Sequence, residues 1–209
     1  MDGAANAIRL LRRMAQRRDL QEHCELCATP VGEEHRHLLE VGKGGIVCAC
    51  DACALTFREV VGGRFKVIPR DSRWLVDFSM SDLDWQMLGL PIHLAFLFEN
   101  SRTKGITAIY PSPGGPTESV VPAETWSTLR TKNAVLRSLE PDVEALLVNR
   151  VGEARDYFTA PIDACYGLVG LVRKHWRGLS GGEEVWEHLR GFFDRSRASL
   201  QSGELHSGR

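Results

Sequence analysis

The sequence predicts an α+β protein, in which a small cysteine-rich N-terminal ribbon precedes an antiparallel sheet with packed helices. Three observations support this. Five of the six cysteines lie between Cys24 and Cys53. A pattern of two strands and a helix then occurs twice, over residues 93–132 and 144–176. The hydrophobic fraction, 43% of 209 residues, is ordinary for a globular chain and supports a real core.

Residues 1–21 predict a helix centred on AANAIRLLRRMAQRRDL. Ile8, Leu11 and Met14 recur at helical spacing, with Arg9, Arg12, Arg13, Arg17 and Arg18 spread around them. A solvated helix laid over the next module accounts for this pattern better than a membrane or nucleic-acid contact. Residues 22–60 form the ribbon. His35–Val41 alternates, with His35, His37, Leu39 and Val41 on one face and Arg36, Leu38 and Glu40 on the other. Gly42-Lys43-Gly44-Gly45 is a turn, and Ile46–Cys48 pairs back. Knuckle, hairpin, knuckle is the layout of a zinc-ribbon or rubredoxin-like module. The GKGG turn lacks the Walker spacing and is no phosphate loop.

Residues 61–200 predict the α+β body. Short extended stretches fall at Phe65–Ile68 and Trp74–Val76. Ser81 caps a helix with Asp82 and Asp84 in its first turn, and that helix ends near Gly89, before Pro91. Two β-β-α units follow. HLAFLFEN and GITAIYPSP lead to a helix over Ala123–Lys132; EALLVNRV and DYFTAPID lead to one over Asp163–Trp176. Four strands in one sheet, with helices on a face, are expected. PSPGGPTES reads as a stiffened surface connection of the kind that also contacts partners. A last helix over Glu183–Leu200 would bury Val185, Trp186, Leu189, Phe192 and Phe193. The polar tail, residues 201–209, is expected to be disordered.

Charge and hydropathy narrow the function. Basic and acidic residues balance at 26 and 27, unlike the strongly basic surface of a dedicated nucleic-acid binder. No apolar run approaches the ~20 residues of a membrane span; the longest, Ile92–Phe98, is strand-sized. With no apolar signal segment, a cytoplasmic protein with reduced thiols is expected, and its cysteines read as metal ligands before disulfides.

Cys24, Cys27, Cys50 and Cys53 make two C-x-x-C pairs, each placing two sulfurs on one tight turn. Four thiolates suit Zn2+, or Fe of the rubredoxin type. Rubredoxin knuckles are usually followed closely by glycine, whereas Ala28 and Ala54 stand here, which favours zinc. Cys48, two residues from Cys50, is an alternative metal ligand or a buried thiol. His35 and His37 share a strand face and are further alternatives, able to supply half of a second site or to be structural only.

No catalytic constellation stands out. E-E-H-x-H at Glu33–His37 is not H-E-x-x-H. Cys165 and His175 lie on one helix, roughly 15 Å apart along its axis, too far for a nucleophile and its base. Asp163 reads as a helix-start residue, and SGGEE at 180–184 as a capped connection.

The segments CELC, EEHRHLLEV, CACDACAL, IYPSPGGPTES, EPDVEALLVNR, PIDACYGLVGLVRKHWRG and SGGEEVWEHL together resemble an uncharacterised bacterial family. Its genes accompany those of high-affinity [NiFe] uptake hydrogenases. The resemblance implies a cytoplasmic accessory or maturation protein, with a hydrogenase subunit or maturation factor as protein partner. It brings no catalytic residues. The expected function is therefore a non-enzymatic zinc-binding accessory protein. The alternatives are a rubredoxin-like iron electron-transfer protein and a metal-dependent hydrolase using His35 and His37.

Overall fold

A computed structural model describes residues 22–58, 63–112, 114–177, 184–185, 187–194 and 197. The helix expected over 4–20, the tail over 201–209 and Trp186 of the last helix lie outside the described residues.

The ribbon opens with a tight turn at Glu25–Cys27, closed by Cys24 N–H to Thr29 O and Ala28 N–H to Cys24 O, both 2.8 Å. Strands β1 (Arg36–Glu40) and β2 (Gly45–Ala49) pair as the expected hairpin, with His37 opposite Cys48 and Leu38 opposite Val47. Gly44 supplies the left-handed turn residue at φ +70°. Beyond β2 the structure departs from knuckle, hairpin, knuckle: Asp51–Arg58 is a helix, α1. Its acid lies in the first turn and its base in the last, matching the helix dipole. Strand β3 (Phe65–Val67) pairs with the other side of β1. The small sheet, ordered β2-β1-β3, thus draws a strand from beyond residue 60.

The body is one antiparallel sheet of six strands, β4-β9-β8-β5-β6-β7. Its members are β4 (Arg73–Trp74), β5 (Leu94–Asn100), β6 (Gly105–Ser112), β7 (Gly115–Val121), β8 (Glu144–Asn149) and β9 (Asp156–Pro161). The first expected unit is corrected here. PSPGGPTES is not a surface connection but the tip of a hairpin, and Thr117–Val121 continues it as an edge strand. Its prolines mask the strand: Pro111 and Pro116 face each other beside the turn, Pro116 on the edge strand and Pro111 beyond the last β5–β6 pair at Ile109, where a missing N–H costs little. The unit is β-β-β-α.

Helices cover both faces of the sheet, not one. On one face Leu94, Phe96, Phe98, Leu147 and Phe158 pack beneath α4 (Ile162–His175) and the last helical residues Val185, Leu189 and Phe193. On the other, Ala95, Leu97, Leu146 and Val148 pack against Trp85 of α2 (Asp82–Met87), Trp126 and Leu129 of α3 (Ala123–Lys132), and Leu136 of a short 3-10 turn. This explains why HLAFLFEN shows no alternation: a strand buried on both faces is apolar throughout. The helix starting at Ser81 forms as expected. Ser81 accepts from Asp84 N–H, and the Asp84 carboxylate accepts from Ser81 N–H, a reciprocal cap.

The ribbon sits against the body through one face of β1. Leu39, with Ile68 just after β3, belongs to the main core. Leu38 points the other way, into a small core with Cys24, Val31, Ala49, Ala54 and Phe65.

Candidate metal centre

The turn, the end of β2 and the start of α1 bring four sulfurs together. Cys24 and Cys27 flank the tight turn. Cys50 immediately precedes α1, and Cys53 lies in its first turn. The Sγ atoms of Cys24, Cys27, Cys50 and Cys53 all lie within 4.8 Å of one another. Cys27 Sγ and Cys50 Sγ are 3.7 Å apart. A disulfide needs about 2.05 Å, so this separation is not a bond. A tetrahedron of sulfurs around an ion at about 2.3 Å has edges of about 3.8 Å. The donor set and its spacing therefore fit a single tetrahedrally held metal ion.

The second pair reaches the cluster from a helix start, not from a second knuckle. That placement suits thiolates, since unpaired N–H groups and the positive end of the helix dipole face them. Cys53 N–H points at Cys50 Sγ at 3.5 Å. Burial pushes the Cys24 thiol up, but the N–H groups of Cys50, Leu26 and Cys27 outweigh it and bring it down to about 6. The Thr29 hydroxyl, 3.3 Å from Cys27 Sγ, lowers that thiol as well. Cys53 goes the other way: burial and the neighbouring sulfurs push it up to about 12. Four thiols held this close do not all ionise unaided, and a cation in their midst relieves the repulsion.

Ala28, directly after Cys27, has φ +59°. The first turn thus adopts the left-handed backbone that glycine would suit, and an alanine occupies it. Ala54 differs. It lies within α1, buried, where alanine is the natural residue.

The alternative ligands separate from this cluster. Cys48 stands opposite His37 in the β1–β2 register, and the donor atoms of His35, His37 and Cys48 form their own group within 4.8 Å. Sequence spacing did not find what holds His37. Its Nδ1 donates to Asp163 Oδ2 at 2.6 Å, across 126 positions. Asp163 is in the first turn of α4, as expected of a helix-start residue, but its carboxylate reaches the ribbon.

Cys165 lies fully buried in the main core, with burial raising its thiol far from ionisation. His175 is engaged elsewhere, its Nδ1 2.7 Å from Glu184 Oε1 and its ring 3.8 Å from that of His188. The two do not meet. Among the described residues, no helix is long and apolar enough to cross a membrane.

A family described as being of unknown function, DUF5947, matches residues 23–200. The match spans the ribbon and nearly the whole body. No curated protein and no solved structure matches the chain.

Proposed function

The chain belongs to the DUF5947 family, and from the geometry of its ribbon we propose a non-enzymatic accessory protein built around a structural zinc ion. Cys24, Cys27, Cys50 and Cys53 are the ligands in this reading. The observation that carries it is the four-sulfur cluster with its 3.7 Å edge. Four thiolates close the coordination sphere, leaving no position for a substrate, as in structural rather than catalytic sites. The ion would join the turn, the hairpin and α1, whose small core has six buried hydrophobic members among the described residues.

Iron is the second reading. A rubredoxin-type centre uses the same four thiolates, and the N–H groups directed at Cys24 would tune its potential. Ala28, in place of glycine after the first turn, favours zinc. Metal analysis of protein purified without added metal separates the two: one zinc per chain supports the proposal, and one iron, with visible absorption, replaces it.

For the partner, the reading rests on the resemblance carried by CELC, CACDACAL, IYPSPGGPTES and PIDACYGLVGLVRKHWRG. It points to the accessory apparatus of an uptake [NiFe] hydrogenase in the cytoplasm, where thiols stay reduced. Contacts would be made with a hydrogenase subunit or a maturation factor. Deleting the gene should lower hydrogenase maturation, and a pull-down should recover such a protein. Normal processing in the deletion strain, together with an empty pull-down, ends the hydrogenase assignment and leaves the metal centre standing.

A further inference from the structure

We propose that His35, His37 and Cys48 form a second metal site, open at its fourth position, for a late first-row divalent ion of the Zn2+, Co2+ or Ni2+ class.

The three side chains share the face of the hairpin that turns toward the body. His37 and Cys48 are cross-strand partners, and His35 lies two residues before His37, so its side chain falls on the same side. The two imidazoles meet edge to face, with centroids 4.7 Å apart. One ring nitrogen of each and the Cys48 sulfur lie within 4.8 Å of one another. Two imidazoles and one thiolate suit borderline-soft divalent ions, and three protein ligands with a vacant position are the usual form of a reactive or exchangeable site.

The hydrogen bonds around the imidazoles are those a metal site requires. His35 Nδ1 is 2.8 Å from Gly32 O and 3.4 Å from Glu22 Oε2. Both neighbours are acceptors, so Nδ1 carries the hydrogen and Nε2 presents a lone pair. That side chain is only 6% exposed, and among the described residues its buried Nε2 has no hydrogen-bond partner. A buried acceptor without a donor is costly, and a cation at this point satisfies it. His37 repeats the arrangement. Its Nδ1 donates to Asp163 Oδ2, leaving Nε2 as the free donor atom. A carboxylate behind a ligating imidazole fixes the ring's tautomer and orientation and raises its basicity. Asp163 is thus a positioning residue, not a ligand.

His35, His37 and Asp163 line a cleft of about 470 Å³, with Glu33, Pro69 and Arg70 on its walls. The four-cysteine cluster lies with the small core on the opposite face of β1. The second site therefore shares no ligand with the four-cysteine cluster.

Cobalt binding tests this on the full-length protein as purified. Dialysis against Co2+ should load one additional ion with weak charge-transfer absorption from a single thiolate, distinct from the intense bands of a tetrathiolate. H35A and C48S should each lose that ion while keeping the wild-type circular dichroism. Wild-type protein that takes up no such ion overturns the site, as do folded variants that still bind it. If either variant loses its circular dichroism, D163N decides, because it retains all three ligands. A 10- to 100-fold weaker Co2+ affinity is expected, and unchanged affinity overturns the proposal.

Discussion

Cys27 Sγ and Cys50 Sγ lie 3.7 Å apart although 23 positions separate them in the chain. The β1–β2 hairpin folds that separation back on itself and delivers the start of α1 beside the first turn. Among the described residues the small core beneath them has six buried members. Structural zinc in finger peptides contributes on the order of 10 kcal/mol at neutral pH. We expect Cys27→Ser, or removal of the metal by chelation, to abolish hydrogen-exchange protection in α1 and around the turn. Protection in β5 and β8 should persist, because their core is formed by the body. Unchanged exchange in α1 of the variant would show that the cluster does not organise the ribbon.

Ala28 offers a gain. At φ +59° an L-residue is strained by about 1–2 kcal/mol, which glycine avoids. Glycine costs part of this back through the greater freedom of the unfolded chain. Ala28→Gly is expected to stabilise the ribbon by up to about 1 kcal/mol, and Ala28→Val to destabilise it by more than the alanine does. Chelator competition against both variants reads the order directly. Weaker metal retention in the glycine variant would contradict the strain argument.

Acid should act through the body as well as the ribbon. Burial alone would raise the Asp142 pKa, but Lys66 Nζ at 2.9 Å and Ser101 N–H at 2.8 Å outweigh it and hold the carboxyl below its ordinary range. A carboxyl depressed in the folded state adds stability above its unfolded pKa of about 4. That stability is lost as the pH falls from there through the folded value. Asp142→Asn should cost about 1–3 kcal/mol at pH 7, and asparagine tolerates the residue's φ of +70°. The difference from wild type should shrink below pH about 4. Urea unfolding of both proteins at pH 7 and pH 3 tests this, and a difference that does not change with pH counts against it.

Much of this architecture was legible because local chemistry and the final fold agree. The C-x-x-C pairs give the four sulfurs, Ser81 with Asp84 gives the start of α2, and periodicity gives α3 at its observed bounds. What escaped depends on partners distant in sequence. Strand β7 begins Gly-Pro and is revealed only by its register with β6. Helix α1 spans eight residues, too few for periodicity to show, and its cysteines read as a knuckle. The second group of donors was visible only as an alternation in β1. Nothing local marks Asp163 as the acceptor for His37, because that contact exists only once α4 meets the ribbon. Nor does spacing reveal that His35 Nε2 ends without a partner among the described residues.

The same alternation supplies a last prediction. Leu38 and Leu39 are adjacent and both buried, but they face different cores. Leu38 packs with Cys24, Ala49 and Phe65, while Leu39 packs with Ile68 and the body residues. Truncating either leucine to alanine in a packed core costs about 2–5 kcal/mol, so the two variants should lose similar totals. They should differ in where the loss appears. Leu38→Ala should weaken metal retention and loosen α1, leaving the thermal transition of the body close to wild type. Leu39→Ala should lower the body's transition and speed exchange in β5 and β8, with the metal still bound. The distinction follows from the period-two geometry of β1, which serves as a wall of the ribbon on one side and as its seat on the body on the other. Hydrogen exchange and chelator competition on the two variants read both properties. Identical profiles would mean that the two cores unfold as one unit and that β1 transmits the loss of either.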